Sequence, residues 1–82
     1  MEIIKTAKML NSTVTLWPNR IEIVVDGGLF GKKSQVIPLK NIVDVSKGIG
    51  QPLKVKTTDG KQTTIPIASD WDAWKKAIEE AL

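Results

Sequence analysis

Apolar and polar residues alternate along most of this chain, a pattern that predicts a succession of short β-strands. Residues 13–17 (TVTLW) and 20–26 (RIEIVVD) both alternate, so that apolar side chains gather on one face of each run. Pro18 and Asn19 separate the two runs, and a proline followed by an asparagine suits the central positions of a tight turn. The two runs therefore predict a β-hairpin.

Alternation continues in the second half of the sequence. Residues 34–39 (SQVIPL) and 42–47 (IVDVSK) each predict a strand. The runs PLKVKTT and KQTTIPI flank Asp59 and Gly60, and an Asp-Gly pair between alternating runs is a strong hairpin signal. Pro38 has no backbone N–H, which favours an edge or bulge position there.

Residues 3–9 (IIKTAKM) fit either a strand or a frayed helix. The turn-forming residues Asn11 and Ser12 precede TVTLW, and they favour the strand.

Only the C-terminal segment has a helical period, and we predict a helix over residues 69–82. Ser69 is a suitable N-cap, and Asp72 stands three residues later in the position of a capping box. Outside the apolar stripe, residues 75 and 79 and residues 76 and 80 form oppositely charged pairs at i,i+4 spacing. The stripe that we expect to face the core consists of Trp71, Trp74, Ile78, Ala81 and Leu82.

Six or seven antiparallel strands and one helix define a mainly β fold class. A chain of 82 residues supports a single core, so we expect one domain over residues 1–82. An antiparallel sheet of this length must bury one face and protect its edges. A split barrel or a sandwich, with the C-terminal helix over one open end, meets both requirements.

The composition disfavours an enzyme. The chain has no histidine, cysteine or tyrosine, which removes imidazole bases and ligands and thiol nucleophiles. We therefore expect no catalytic residue, no cofactor, no metal site and no small-molecule substrate. The net charge of +3 is compatible with an anionic partner without requiring one.

No apolar run approaches the ~20 residues of a membrane span. The sequence MEIIKTAKML also lacks the basic region and continuous apolar core of a signal peptide. We therefore expect a cytoplasmic protein.

Several stretches, taken in order, resemble a bacterial pleckstrin-homology-like (PH-like) domain. They are TVTLWPNRIEI, a loop containing glycine and lysine, VIPLKNIVDV, LKVKTTDGK and the closing helix, and together they cover about residues 3–82. The resemblance implies two nearly orthogonal antiparallel sheets, seven strands in total, capped at one end by a C-terminal helix. It also implies a noncatalytic module that binds phosphoinositides, peptides or other proteins, and the small bacterial members resemble oligomer-forming modules.

The lipid-binding members of that superfold carry a basic residue near the end of the first strand and another on the second. Lys5 and Lys8 lie on the predicted first strand, but TVTLW offers no basic partner. Arg20 belongs to the following strand. The sequence therefore departs from the phosphoinositide-binding pattern.

The loop Gly27–Lys33 and the strand after it are the predicted partner-binding region. An apolar tip beside paired cations suits a pocket in a protein partner or an anionic membrane interface, unless the apolar residues fold back over the open end of the sheets. The exposed edge Ser34–Leu39 suits strand pairing with a protein, including a second copy of the chain. The candidate residues are Leu29, Phe30, Lys32, Lys33, Gln35 and Val36.

A row of lysines is the candidate for an anionic ligand. A row of cations can follow a phosphate backbone, and Trp17 is the aromatic residue left for base stacking. Lysines on a solvated face, or guarding a sheet edge, are the ordinary explanation of such a row. Nucleic-acid binding is therefore our third hypothesis, after protein binding and membrane binding, and its candidate residues are Lys47, Lys54, Lys56 and Lys61.

Overall fold

Two antiparallel sheets and one helix make up the computed structural model, which describes residues 2–27, 31–47 and 52–82. Its first sheet has the order β1-β2-β3-β4, with β1 at Lys5–Lys8, β2 at Ser12–Leu16, β3 at Arg20–Asp26 and β4 at Lys32–Pro38. The second sheet has the order β5-β6-β7, with β5 at Ile42–Lys47, β6 at Leu53–Thr57 and β7 at Gln62–Thr64. A 3₁₀ helix, Leu39–Asn41, joins the sheets, and α1 spans Trp71–Ala81.

The mainly β fold class, with seven strands and a C-terminal helix, is thereby confirmed. The sheets do not close into a barrel, because β1 and β4 end the first sheet and β5 and β7 end the second. This open arrangement is consistent with a sandwich capped by the helix. Residues 3–9 supply a strand, and Pro38 lies at the end of an edge strand as its missing N–H predicts.

The alternation of apolar residues places one core between the two sheets. Because successive strand residues point to opposite faces, each strand contributes every second side chain to this core. Outside the strands, Ile65 and Ile67 are also buried, although β7 already ends at Thr64. The buried strand and 3₁₀ residues are Val14, Leu16, Ile21, Ile23, Ile37, Leu39, Ile42, Val45, Leu53 and Val55.

The helix covers this core through part of its predicted stripe. Trp74 is 1% exposed and Ile78 is fully buried. Trp71 is half-buried, and its indole N–H donates to the carbonyl of Ile67 at 3.0 Å. Leu82 follows the last helical residue and is 57% exposed, so its place in the stripe was predicted wrongly.

The predicted start of the helix was also wrong. Asp70, rather than Ser69, is the N-cap residue, in a left-handed conformation (φ 60°) and with no capping hydrogen bond from its side chain. The carboxylate of Asp72 does not complete a capping box, because it accepts a hydrogen bond from Lys47 at 2.8 Å. Lys47, at the end of β5, has replaced the local partner that the pattern suggested.

Both predicted hairpins form. Around Pro18 and Asn19, the N–H of Trp17 donates to the carbonyl of Arg20 at 2.8 Å, which closes a two-residue turn. At the second hairpin the turn is longer, since the N–H of Thr57 donates to the carbonyl of Lys61 at 3.0 Å. Gly60 supplies the positive φ of 84° that this longer turn requires.

Candidate partner-binding site

Strand β4 is the longest of the four edge strands in the described structure. It has seven residues, whereas β1 has four, β5 has six and β7 has three. Residues 32–36 are all exposed. An edge strand offers unpaired backbone groups to another chain, so β4 is the natural place to look for a binding site.

The hydrogen-bond ladder identifies which backbone groups of β4 point outward. Gly27 N–H bonds to the carbonyl of Gly31 at 2.7 Å, and Leu39 N–H bonds to the carbonyl of Asn19 at 3.0 Å. In an antiparallel pair the bonded residues alternate, so β4 uses its odd-numbered residues to bond β3. The N–H and C=O groups of Ser34 and Val36 therefore face away from the sheet.

A groove of about 300 Å³ runs beside this edge. One wall contains Gln35 and Ile37, from the inner face of β4, together with Val36 and Pro38 from its outer face. Because both faces contribute, the groove lies along the strand edge rather than on either face. The opposite wall is mainly the β6–β7 hairpin, through Thr57, Thr58, Asp59, Lys61 and Thr63, and it includes Asn41 of the 3₁₀ helix.

The hairpin wall is held in shape by Asp59. Its carboxylate accepts a hydrogen bond from the Thr57 hydroxyl at 2.5 Å and another from the Lys61 backbone N–H at 3.1 Å. These bonds, with the Thr57 bond as the largest cause, hold the pKa of Asp59 below its usual value. The hairpin wall was missed by sequence reasoning, because only the folded topology brings β6 and β7 beside β4.

The predicted partner-binding residues are brought together only in part. Gln35 and Val36 line the groove, with Val36 51% exposed. Lys32 lies opposite Asp26 and Lys33 lies opposite Val25, on different faces of the first sheet. Leu29 and Phe30, the predicted apolar tip, lie outside the described residues.

The predicted row of lysines is divided by the sheet. Lys54 and Lys56 share the outer face of β6, as expected. Lys61 lies across the hairpin from Thr57 and lines the groove beside β4 instead. Lys47 lies opposite the buried Leu53 and therefore on the inner face, where its ammonium pairs with Asp72 rather than joining the row. The outer face also includes Asp44, which lies opposite Lys56 in register.

One face of the Trp17 ring is covered by Arg20. The guanidinium carbon of Arg20 lies 4.6 Å from the centre of its ring, which is the geometry of a cation–π contact. The same guanidinium donates to the side-chain carbonyl of Asn19 at 2.9 Å and lies 3.6 Å from Glu22. A nucleic-acid base would have to displace Arg20 to stack on this face of the ring.

A second exposed feature was not predicted. Leu10, in the β1–β2 turn, is 97% exposed, and its neighbour Met9 is 43% exposed. Asp26 N–H bonds to the carbonyl of Asn11 at 2.7 Å, which fixes this turn beside the end of β3. The signal available in the sequence was a Met-Leu pair directly before the turn-forming residues at 11 and 12.

The described residues hold no group of three acidic side chains able to bind a metal ion, and none of their helices is long and apolar enough to cross a membrane. Comparison of the chain with models of known protein families, with curated proteins and with solved structures finds no match. The candidate site therefore rests on the edge of β4, the groove beside it and the hairpin that forms its far wall.

Proposed function

We propose that this protein is a noncatalytic interaction module that binds extended protein segments, including copies of itself, along the edge of β4. The observation that carries the proposal is the pair of outward-facing backbone positions at Ser34 and Val36, beside a groove. Strand addition obtains its affinity from main-chain hydrogen bonds, and so it needs no catalytic side chain.

We further propose that the module is PH-like and acts in the cytoplasm. Seven strands in two antiparallel sheets, followed by a C-terminal helix, support the family proposal, because this is the arrangement that the resemblance implies. The cytoplasmic location rests on the sequence pattern.

The test compares proline substitutions on the two edges of the first sheet. Val36→Pro removes an outward N–H from β4. On β1, the N–H of Met9 bonds to the carbonyl of Ser12, so the odd-numbered residues bond to β2 and Thr6 faces outward. Thr6→Pro therefore removes an outward N–H from β1. Losing one main-chain hydrogen bond costs about 1 kcal/mol, or a factor of about five in affinity. We expect Val36→Pro to weaken self-association and the retention of partners from a host lysate by about this factor, and Thr6→Pro to leave both unchanged.

Thermal unfolding of both variants separates a binding defect from a folding defect. Equal binding by the wild type and Val36→Pro, with both proteins folded, would contradict the proposal. A protein that stays monomeric at high concentration and retains no partner would contradict it as well.

A second candidate function is peripheral binding to an anionic membrane, and the exposure of Leu10 favours it. Met9, Leu10 and Lys32 border one hollow at this end of the first sheet, and Lys8 precedes them on β1. An exposed leucine beside lysines suits the interface of an anionic bilayer.

This candidate predicts that the protein sediments with anionic but not neutral liposomes, and less so as salt rises. Leu10→Ser should reduce sedimentation, whereas Val43→Ser, which removes an exposed apolar side chain from β5, should not. Equal sedimentation of the wild type and Leu10→Ser would argue against this candidate.

A further inference from the structure

We propose that the segment bound along β4 is acidic and belongs to a different protein, and that it pairs with β4 as an added strand ending at Pro38. This inference rests on the proposed function of the β4 edge. It adds the chemistry and the register of the bound segment.

The register follows from the backbone of β4. Ser34 and Val36 each offer an N–H and a C=O toward the groove, whereas Pro38 offers a C=O alone. From Ser34 to Pro38 the strand covers about 13 Å, at roughly 3.3 Å per residue. The added strand can therefore use both groups of Ser34 and Val36, and its pairing ends where the proline lacks a donor.

The exposed side chain of Val36 favours an apolar residue opposite it on the added strand. Val36 projects from the outer face and is 51% exposed, so a residue directly opposite it gains a cross-strand apolar contact. A β-branched residue fits this position, because such residues pack well on a pleated surface.

The charges around the edge favour carboxylates on the neighbouring positions of the bound segment. Lys33 lies near the start of the edge, and Lys61 lines the groove; neither forms a salt bridge within the part of the chain that the structure describes. Asp59 is the acidic residue of the groove wall, and its carboxylate is already bonded to Thr57 and to the Lys61 backbone. The Asp59 carboxylate stays anionic and interacts with the Lys61 charge, so it offsets one of the two lysine charges. The edge keeps a net positive charge, which an acidic segment complements.

The same charges disfavour a second copy of this chain as the main occupant. In a β4–β4 pair the incoming strand carries Lys32 and Lys33 and no carboxylate. The whole chain also has a net charge of +3, so two copies repel each other at long range. A segment rich in Asp or Glu has the complementary charge.

The test uses synthetic peptides as probes. The first is a blocked decapeptide that alternates valine and glutamate, and the second alternates valine and lysine. We expect the Val-Glu peptide to bind, more weakly as salt rises, and to slow amide hydrogen exchange at Ser34 and Val36. Gln35, whose N–H is already bonded to β3, should change little.

Charge reversal at one wall residue tests the acidic preference. An exposed ion pair contributes up to ~1 kcal/mol, so replacing attraction by repulsion in Lys61→Glu should lower the affinity about fivefold or more. Lys76→Glu makes the same charge change on the exposed surface of α1, and it should alter affinity much less.

The results separate this inference from the function on which it rests. If both peptides protect Ser34 and Val36 equally and Lys61→Glu has no effect, the acidic preference is overturned while strand addition stands. If a second copy protects the two amides at a lower concentration than the Val-Glu peptide does, the main occupant is this chain itself and the inference is overturned. If the Val-Glu peptide fails to bind, the inference is again overturned, and the proline variants decide the function separately.

Discussion

The ammonium nitrogen of Lys47 lies 2.8 Å from Oδ1 of Asp72, and this ion pair joins the last residue of β5 to the first turn of α1. The helix also packs against β5 through its buried face. The bond lowers the pKa of Asp72, with the hydrogen bond from Lys47 as its largest cause and the lysine charge as the next. Protonation of Asp72 therefore removes one of the contacts between the helix and β5.

Asp72→Asn should lower the free energy of unfolding at neutral pH. A carboxyl whose pKa is depressed in the folded state stabilises the protein above its unfolded pKa, and the stabilisation is lost as pH falls through the folded pKa. For Asp72 the loss begins as pH falls toward the ordinary value of 3.8. Urea unfolding of the wild type and variant should differ at about pH 7 and converge at about pH 2.

Asp70→Asn is the matched control for that experiment. It makes the same change two residues earlier, at the residue whose side chain forms no capping bond. An equal loss of stability in both variants would show that the helix dipole, rather than the Lys47 pair, is responsible.

Trp74→Ala should be among the most destabilising changes in the chain. The side chain is 1% exposed, and deleting a buried aromatic residue typically costs about 3–5 kcal/mol. Domains of this size are stable by only ~5–15 kcal/mol, so Trp74→Ala can remove most of the folding free energy. Ile78→Val, on the same helix, should cost about 0.5–1.5 kcal/mol and leave a folded protein whose unfolding free energy can be measured. Leu82→Ala should change the unfolding free energy, measured in urea, by less than about 0.5 kcal/mol.

Gly60→Ala should destabilise the β6–β7 hairpin through backbone strain alone. Gly60 has a φ of 84°, and a Cβ built on it meets no atom within 4 Å. The left-handed conformation costs an L-residue about 1–2 kcal/mol, and asparagine adopts it more readily than alanine. In urea unfolding, Gly60→Asn should therefore lose less stability than Gly60→Ala; equal losses would contradict this explanation.

Amide hydrogen exchange in the free protein should alternate along β4. The N–H groups of Ser34 and Val36 face outward, whereas those of Gln35 and Ile37 bond to β3. We expect fast exchange at the first pair and slow exchange at the second, measured residue by residue by NMR. Slow exchange at all four residues in dilute protein would mean that the edge is already covered.

Much of the fold was predictable because its signals are local. The two-residue period of the strands places alternate side chains in the core, so Val14, Leu16 and their counterparts on other strands could be identified before the structure. The turns at Pro18-Asn19 and Asp59-Gly60 depend on the conformational preferences of those residues alone. The sandwich, with its helix over the core, follows from that pattern and from the need to bury one face of each sheet.

The candidate site depended on tertiary structure. The sequence predicted an edge at residues 34–39 from Pro38, but it carried no signal that the hairpin at Thr57–Lys61 would form the other wall of a groove. The partner of Asp72 was not predictable from the sequence either. Its spacing from Ser69 suggested a local cap, but folding brought the ammonium group of Lys47 to 2.8 Å from its carboxylate. By itself the sequence determined which residues form strands and which of their faces are buried, because those choices depend on near neighbours in the chain. Only the tertiary structure decided which charges pair and what lies across the groove from the β4 edge, because those contacts join residues far apart in sequence.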